Sequence, residues 1–329
     1  MNQPFRAFSA SGNGTGEVVQ KNEEQLPEGN VVIEVFYSGV NYKDALALDP
    51  KSKVASGYPI TPGIDLSGKV VSSSDPRFKE GDDVICTSYE LGVGHDGGYA
   101  EYARVPADWV VPLPEGLTLR EAMIIGTAGF TAAMSIHRLE ENGLDPSQEP
   151  ILVTGSTGGV GSMAISMLNE RGYSVTASTG KDSEHDYLYR LGANDVIHRD
   201  ELNPEQRRPL DRQRWAAAVD ATGGAPLAYI LSSVKQHGAV AVSGLTAGID
   251  IPTTVVPFIL RGVDLLGIDS SYCPMPLREK VWQRAATDLK PAHLEDIVQQ
   301  EIGLDGLNEA IAGVVQGQAR GRTLVNVKK

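Results

Sequence analysis

The stretch Ile151–Ser166 reads ILVTGSTGGVGSMAIS, with glycines at positions 155, 158, 159 and 161. It follows an apolar run typical of a strand and opens a segment with helical periodicity, the context that a dinucleotide-binding loop requires. Gly155 permits the turn, Gly158 lets the backbone approach a pyrophosphate, and Gly161 lets the helix pack closely on the strand. The start of the helix offers free N–H groups to the phosphates, and Ser156 and Thr157 can add hydroxyl donors. The loop therefore predicts a nucleotide site rather than a ligand-free turn.

Strands and helices alternate along the chain on the C-terminal side of this loop. Such alternation implies parallel strands joined by crossover helices, which is a doubly wound α/β domain. The predicted strands are 151–154, 174–178, a short run at 195–197, 216–221, 239–244 and 263–270. The predicted helices are 159–171, 183–191, 226–236 and a polar helical stretch around 201–214.

The N-terminal third of the chain is dominated by strand patterns. Residues 31–40, 63–87 and 97–116 combine high β propensity with turn signals, which favours a compact barrel. A helical pattern covers 120–140, and the last ~55 residues are predicted to hold one helical run at 276–289 and one strand at 322–327. The predicted domains are therefore a β domain at 1–124 and 271–329 and a nucleotide-binding domain at 125–270.

Composition excludes several classes of partner. The 329 residues carry a formal net charge of −13, which repels nucleic acid and anionic membrane surfaces. No apolar run approaches the roughly 20 residues that span a bilayer, and the N-terminus does not resemble a secretory signal. The two cysteines, Cys86 and Cys273, are too few for a disulfide framework or a cysteine-rich zinc site. These features predict a cytoplasmic protein.

The end of the second predicted strand bears on the choice of cofactor. NAD-binding folds place an acid about 20 residues beyond the loop to bind the ribose 2′-hydroxyl. Here the sequence is VTASTGKD (175–182), without an acid at the end of the strand. Thr179, the Gly180 backbone, Lys181 and Arg199 are candidates to hold a 2′-phosphate, although the two basic side chains are also compatible with solvated surface. Asp182, with Ser183, is expected to cap the following helix. NADP is therefore favoured over NAD.

Six motifs together resemble the medium-chain dehydrogenase/reductase superfamily, in its YhdH/YhfP-type quinone oxidoreductase and acrylyl-CoA reductase branch. They are NYKDAL (41–46), PGIDLSG (62–68), AMIIGTAGFTA (122–132), VTGSTGGVGS (153–162), PTTVVPFILRG (252–262) and GRTLV (321–325). The resemblance implies a GroES-like barrel with catalytic residues, a Rossmann domain, NADPH as the hydride donor and a homodimer. Where relatives can carry Asn before the GRTLV strand this chain has Gly317, so a side-chain contact is lost there, whereas a backbone contact is still compatible with glycine. With the glycine loop, the implied cofactor contacts are Tyr42, Gly155, Thr157, Gly158, Gly159, Val160, Thr179, Gly180, Lys181, Arg199, Leu245, Ile259 and Ser270.

Zinc is not expected. The position resembling the Gly-His-Glu motif of zinc-dependent members reads Gly63-Ile64-Asp65, and Cys86 has no ligand partner nearby in sequence. Without a Lewis acid, reduction of an activated carbon–carbon double bond is favoured over alcohol oxidation. The candidate catalytic residues are Tyr42, Lys43 and Asp44. Tyr42 is a candidate donor to the substrate carbonyl or a nicotinamide contact, and Lys43 and Asp44 either deliver a proton or pair to hold the loop.

Three functions fit these features. The first is an NADPH-dependent reductase of a small enoyl-CoA such as acrylyl-CoA, with Arg261, Arg278 and Arg322 as candidate CoA contacts. The second is a broader quinone or enone reductase with the same cofactor. The third is a non-catalytic NADPH-binding redox sensor. For both enzymes the nicotinamide is expected in the cleft between the two domains, facing Tyr42.

Overall fold

The computed structural model describes residues 3–329, in which fifteen strands and eight α-helices are assigned. The strands are β1 Phe5–Ala10, β2 Gly16–Lys21, β3 Val31–Gly39, β4 Asp65–Ser73, β5 Asp83–Thr87, β6 Tyr102–Val105, β7 Val110–Pro112, β8 Ile151–Val153, β9 Val175–Thr179, β10 Asp195–His198, β11 Trp215–Asp220, β12 Val234–Val242, β13 Asp264–Gly267, β14 Val298–Ile302 and β15 Arg322–Asn326. The helices are α1 Tyr42–Leu48, α2 Leu119–Glu141, α3 Gly159–Glu170, α4 His185–Arg190, α5 Gly224–Ser233, α6 Val256–Arg261, α7 Met275–Ala286 and α8 Leu307–Val315.

The chain divides into two compact units. The first extends to Thr127 and also contains Ser271–Ala286 and Val298–Lys329, and the second contains Ala128–Ser270 and Thr287–Ile297. The long helix α2 runs through the division, and Gly126 breaks its geometry with φ 51° and ψ −161°. A positive φ at this point suits glycine, which has no Cβ to clash with the backbone.

The second unit contains a six-stranded sheet in the order β10-β9-β8-β11-β12-β13, with every neighbouring pair parallel. This order reverses direction between β8 and β11, as in dinucleotide-binding folds. Its central strands are apolar and buried on both faces, as the crossover helices require. The predicted doubly wound fold is confirmed.

The first unit contains a seven-stranded sheet in the order β14-β15-β3-β4-β5-β7, with β6 paired to β3. Apart from the parallel pair β14–β15, its strands pair antiparallel. The separate hairpin β1–β2 completes the strands of this unit in the described chain. The pairing of β15 with β3 brings the C-terminal strand next to one of the earliest strands.

Two predictions about secondary structure are wrong. The polar stretch 201–214 was expected to be helical, but it continues only a 3₁₀ turn at Arg199–Leu202 and then has no helix. Pro204 and Pro209 explain this, because proline removes a backbone donor and clashes with the preceding turn. The C-terminal region also holds β14 and α8 besides the predicted helix and strand.

Candidate active site

The glycine loop connects β8 to α3 in the geometry that a pyrophosphate requires. Gly155 has φ 57°, a left-handed conformation that favours glycine, and Gly158 is the extended residue that precedes the helix. A Cβ at Gly161 would overlap the Gly155 carbonyl oxygen and lie 2.7 Å from the Ser156 Cα. The helix thus starts against the strand because position 161 has no side chain. These residues fit a dinucleotide phosphate.

The serine and threonine of the loop have different roles. The buried Ser156 hydroxyl donates to the Val153 carbonyl at 2.8 Å and accepts from the Ser178 N–H at 2.9 Å. It therefore ties the loop to β9, and its expected role as a phosphate donor is wrong. Thr157 is also buried, and none of the described side-chain hydrogen bonds involves its hydroxyl. Of the two residues, Thr157 is the one with a hydroxyl left for a ligand.

The residues predicted to hold a 2′-phosphate come together at the carboxyl ends of β9 and β10. His198 pairs with Thr179 across these parallel strands, so the segments that follow leave the sheet side by side. The Arg199 side chain lies against Gly180, where an added Cβ would be 2.6 Å from its Nε. The Thr179 hydroxyl accepts the Lys181 backbone N–H at 3.1 Å. The expected cap by Asp182 and Ser183 is absent, since helix α4 begins at His185 with Glu184 as its N-cap residue and with no side-chain cap hydrogen bond.

The remaining predicted cofactor contacts divide into two groups. Leu245 and Ser270 follow β12 and β13, whose paired ends Val242 and Gly267 lie at the same sheet edge as the glycine loop. Ile259 lies in the short helix α6, where its side chain is 70% exposed. Its contact with the cofactor stays a prediction. Gly317 lies in the first unit with φ 68° and no other heavy atom within 4 Å of a built Cβ.

Asp220 lies at the same carboxyl-terminal end of the sheet, and sequence analysis missed it. It is buried at the end of β11, and it accepts the Thr154 hydroxyl at 2.5 Å and the Gly223 N–H at 2.8 Å. It also accepts the Thr222 hydroxyl at 2.8 Å. One carboxylate therefore holds together the chain segments that leave β8 and β11. An acid at the end of the strand-like run AAAVDA was the signal for it.

In the first unit, the predicted catalytic residues lie at the start of α1. The Asn41 backbone N–H donates to Asp44 Oδ2 at 2.8 Å, and Asp44 also accepts from the Ile64 N–H and the Tyr99 hydroxyl, both at 2.9 Å. Burial, together with the nearby negative charge of Asp65, raises the pKa of Asp44 to about 6. Because Asp44 is fully buried and accepts three hydrogen bonds, the geometry supports the role of holding the loop over that of proton delivery.

Lys43 and Tyr42 are arranged differently from Asp44. None of the described hydrogen bonds or ion pairs joins Lys43 to Asp44, and the Lys43 ammonium instead contacts the Ser271 hydroxyl at 3.4 Å. Tyr42 is 45% exposed, and its hydroxyl takes part in none of the described hydrogen bonds. An ammonium has three N–H donors, and a phenol has one. Both side chains therefore retain donors for a ligand.

Residues Asn41–Asp44, where the chain enters α1, are called the Asn41–Asp44 corner. A buried polar cluster contacts this corner through the Asn41 side chain. The Asn41 side chain donates from Nδ2 to Asp65 Oδ2 at 2.8 Å and accepts at Oδ1 from Arg322 at 2.8 Å. Arg322 also reaches the Ile124 and Val40 carbonyls, and Asp65 accepts the Thr127 hydroxyl at 2.5 Å. Sequence analysis missed this cluster, although a charged residue inside each of two strand-like runs, GIDLSG and GRTLV, was a signal for it.

The three arginines predicted to contact CoA are engaged internally. Arg278 is buried and donates to the Thr87 carbonyl, the Thr87 hydroxyl and the Ser271 carbonyl. Arg261 donates to the carbonyls of Ser232, Val234 and Asp211. Arg322 belongs to the buried cluster described above. The expectation that these residues form the CoA site is therefore wrong.

Neither a metal cluster nor a membrane span is found in the described chain. Within residues 3–329, no group of three or more His, Cys, Asp or Glu side chains is arranged to hold a metal ion. The position corresponding to the zinc-ligand motif presents Ile64 and the ion-paired Asp65. Over the same residues, no helix combines the length and hydropathy needed to cross a bilayer.

Two protein-family models match the chain. The one described as "Alcohol dehydrogenase GroES-like domain" covers residues 27–115, and the one described as "Zinc-binding dehydrogenase" covers residues 159–287. Among curated proteins, the chain is 52% identical to the putative quinone oxidoreductase YhfP of Bacillus subtilis, over 99% of this chain and all of the relative. It is 47% identical to the acrylyl-CoA reductase AcuI of Ruegeria pomeroyi, over 96% of each chain.

Solved structures agree with these matches. The Bacillus subtilis YhfP crystal structure with NAD bound has a TM-score of 0.97, covering 99% of this chain and 100% of that one. The Escherichia coli YhdH structure with NADPH bound has 44% identity and a TM-score of 0.93, covering 98% of this chain and 99% of that one. Both similarities extend through the two units, and so they include the glycine loop and the Asn41–Asp44 corner.

Proposed function

The chain belongs to the medium-chain dehydrogenase/reductase superfamily, in the quinone oxidoreductase branch of the YhdH/YhfP type, and from that membership we propose that it reduces an activated C=C bond with NADPH. It is an oxidoreductase. The substrate we propose is a small enoyl-CoA, with acrylyl-CoA reduced to propionyl-CoA. The homodimer and the cytoplasmic location remain predictions.

The choice of NADPH rests on the carboxyl ends of β9 and β10. Lys181 and the Arg199 guanidinium next to Gly180 supply positive charge there, and no acid follows Thr179 directly. A 2′-phosphate carries negative charge and accepts charge-assisted hydrogen bonds, whereas a ribose 2′-hydroxyl needs a carboxylate acceptor. The E. coli relative was solved with NADPH, and the B. subtilis relative with NAD, so relative affinity is the quantity to measure.

The observation that carries the proposed reaction is that Tyr42 and Lys43, at the start of α1, both retain N–H or O–H donors for a ligand. When bound, NADPH supplies a hydride to the substrate β-carbon. Negative charge then develops on the thioester oxygen, and a donor aimed at that oxygen typically contributes ~3–4 kcal/mol to catalysis. A proton from solvent water reaches the α-carbon and completes the reduction. The Tyr42 hydroxyl and the Lys43 ammonium are the donors that this corner offers. The buried Asp44 and the cluster around Asp65 hold the corner in place.

A second candidate, the reduction of quinones or simple enones, is favoured by one observation. Arg261, Arg278 and Arg322 are engaged within the protein, so they are not available to the phosphates of CoA. A quinone or a simple enone needs only a donor for its carbonyl oxygen and a surface for its plane. The 52% identity to a putative quinone oxidoreductase is consistent with this alternative.

The test is NADPH oxidation by the purified protein with acrylyl-CoA, crotonyl-CoA, methyl vinyl ketone and 1,4-benzoquinone. We expect the highest kcat/KM with acrylyl-CoA. Turnover of benzoquinone without turnover of either thioester would replace the proposal by the second candidate. Tight binding of NADPH without turnover of any acceptor would instead support a redox sensor.

A further inference from the structure

An aromatic surface lies beside the Lys43–Ser271 contact in the first unit. Two aromatic side chains of the described part of this unit are more than a third exposed, namely Tyr42 at 45% and Tyr272 at 56%. Tyr42 precedes Lys43 and Tyr272 follows Ser271, so each is one residue away from the 3.4 Å contact between the ammonium and the hydroxyl. The contact therefore brings the chain segment that carries Tyr42 next to the segment that carries Tyr272.

Tyr272 is held in place although it is exposed. Its ring packs edge-on against Tyr89, with centroids 6.5 Å apart and an interplanar angle of 79°, and its hydroxyl donates to Glu90. An exposed tyrosine ordinarily samples several rotamers, whereas this one is fixed by its ring edge and by its hydroxyl. A ring with a fixed orientation stacks on a ligand at a lower entropic cost.

Tyr89, on which the Tyr272 ring packs, is itself held in place by several contacts. Its ring stacks on Trp109 with centroids 5.7 Å apart and planes 8° apart, and the Arg278 guanidinium lies 4.3 Å from its centroid. Its hydroxyl donates to the Cys273 carbonyl at 3.2 Å, and its backbone N–H donates to Ser271. Both neighbours of Tyr272 in the chain are thus bound to Tyr89.

The backbone at Tyr89 shows a strained conformation. Ser88 and Tyr89 have φ values of 65° and 51°, two consecutive left-handed residues that are not glycine. Such strain persists only where the surrounding contacts enforce it, and it concentrates at functional sites. Here it directs the Ser88 hydroxyl inward to Thr127, at 3.1 Å, and places the Tyr89 ring under Tyr272.

We propose that Lys43 and Tyr272 form the subsite for the conjugated carbonyl of the substrate, with the carbonyl oxygen accepting from the Lys43 ammonium and the conjugated plane packing on the Tyr272 ring. The ligand class is a planar, electron-poor α,β-unsaturated carbonyl, whether it comes from an enoyl thioester or from a quinone. Aromatic rings pack favourably on such planes, and an ammonium stabilises the charge that forms on the oxygen. The inference rests on the proposed function and names the residues that recognise its substrate.

The test compares Tyr272→Leu, Tyr272→Phe and Lys43→Gln with the parent protein. Acrylyl-CoA, methyl vinyl ketone and 1,4-benzoquinone are the acceptors. Tyr189→Leu is the matched control, since Tyr189 is 49% exposed and lies in the second unit. NADPH affinity and thermal unfolding are measured for each variant. We expect Tyr272→Leu to lower kcat/KM about three- to tenfold with all three acceptors, mainly through KM. Tyr272→Phe should retain most of the activity, and Lys43→Gln should lower kcat about a hundredfold.

Several outcomes would overturn the inference. A loss confined to acrylyl-CoA would mean that Tyr272 contacts the CoA portion, and equal kinetics for Tyr272→Leu and Tyr189→Leu would remove Tyr272 from the site. A binding measurement distinguishes a failure of this inference from a failure of the proposed function. Anthraquinone-2-sulfonate, a planar quinone, is titrated into the parent protein and the variants without NADPH. If the parent protein turns over no acceptor, the proposed function fails. The subsite is still supported if Tyr272→Leu and Lys43→Gln weaken this binding while Tyr189→Leu does not, and it is rejected if Tyr272→Leu binds like the parent protein.

Discussion

The Arg322 guanidinium and the Asp65 carboxylate form an ion pair at 3.4 Å with side chains only 2% and 0% exposed. The Asn41 amide bridges the same two groups, with its oxygen toward the cation and its nitrogen toward the anion. An amide is the side chain that satisfies both, because it carries an acceptor and a donor at its two ends. The residue that precedes Tyr42 is therefore oriented by two opposite charges.

Removing both members of this pair should destabilise the protein by less than the sum of the two single removals. Asp65→Asn leaves the Arg322 charge buried without its partner, which typically costs ~3 kcal/mol or more. The double variant Asp65→Asn, Arg322→Gln is expected to lose at least ~1 kcal/mol less than the sum of the single losses. Urea unfolding of the four proteins measures this coupling. Strictly additive losses would show that the two groups do not act as a pair.

Cofactor choice should depend on Lys181. Lys181→Ala is expected to weaken NADPH binding about tenfold, through the loss of a charge-assisted hydrogen bond, and to leave NADH binding nearly unchanged. Arg190→Ala is the control, because Arg190 is an exposed basic residue of the same unit. Fluorescence titration with both cofactors gives the four affinities for each protein. Equal affinities of the parent protein for NADPH and NADH would contradict the assignment.

Gly161, at the start of α3, should tolerate no side chain. Gly161→Ala places a Cβ against backbone atoms that cannot move aside, so we expect a loss of ~1–3 kcal/mol in unfolding free energy and weaker NADPH binding. Gly313→Ala is the matched control in α8, where no other heavy atom lies within 4 Å of the added carbon. Alanine favours a helix by roughly 0.5–1 kcal/mol over glycine, so this variant should be slightly more stable. Denaturant unfolding distinguishes the two, and an undisturbed Gly161→Ala protein would refute the packing argument.

The Tyr42 hydroxyl should matter to the chemical step. With acrylyl-CoA and saturating NADPH, Tyr42→Phe is expected to reduce kcat about a hundredfold if this hydroxyl stabilises the developing oxyanion. NADPH affinity is measured separately and should be retained. An unchanged kcat would leave Tyr42 as a cofactor contact and assign the donor role to Lys43 alone.

Asp44 should make stability depend on pH in a defined direction. Its pKa is about 6 in the folded protein and ordinarily 3.8, so between these values the folded state holds a proton that the unfolded chain has released. The stabilisation that this proton gives to the folded state is present at low pH and is lost as the pH rises through 6. The stability of the parent protein relative to Asp44→Asn is therefore expected to be ~1 kcal/mol larger at pH 5.5 than at pH 8. Asp75→Asn is the control, since Arg77 lowers the pKa of Asp75 to about 2, below this range. A difference that grows with pH would contradict the sign.

Local sequence signals predicted the nucleotide-binding half of the molecule well. The glycine spacing and the strand–helix alternation are short-range patterns, and the parallel sheet follows from them. The helix α8 was also predictable, because Leu307, Ile311 and Val314 recur at helical spacing, and it was overlooked. The stretch 201–214 shows the opposite error, in which polar composition was given more weight than its two prolines.

The contacts of the Asn41–Asp44 corner could not be predicted from sequence in the same way. Asp44 contacts Tyr99 and Ile64, which are 55 and 20 residues away in the chain, and Asn41 contacts Arg322 across 281 residues. No local periodicity encodes contacts of this kind. The three arginines were assigned to a ligand because an arginine in a sequence carries no sign of its burial. Their internal bonds follow from the tertiary structure alone.

The separation between Asp65 and Arg322 sets an order of events during protein synthesis. They lie 257 residues apart in the chain, which at about 5–20 residues per second corresponds to roughly 10–50 s on the ribosome. Throughout that interval the nascent chain holds Asp65 and Asn41 without their cation, and β3 lacks its neighbour β15. The strands of the nucleotide-binding sheet, by contrast, all emerge between residues 151 and 267. The nucleotide half is thus complete in the nascent chain before the arginine that orders the substrate half has been translated.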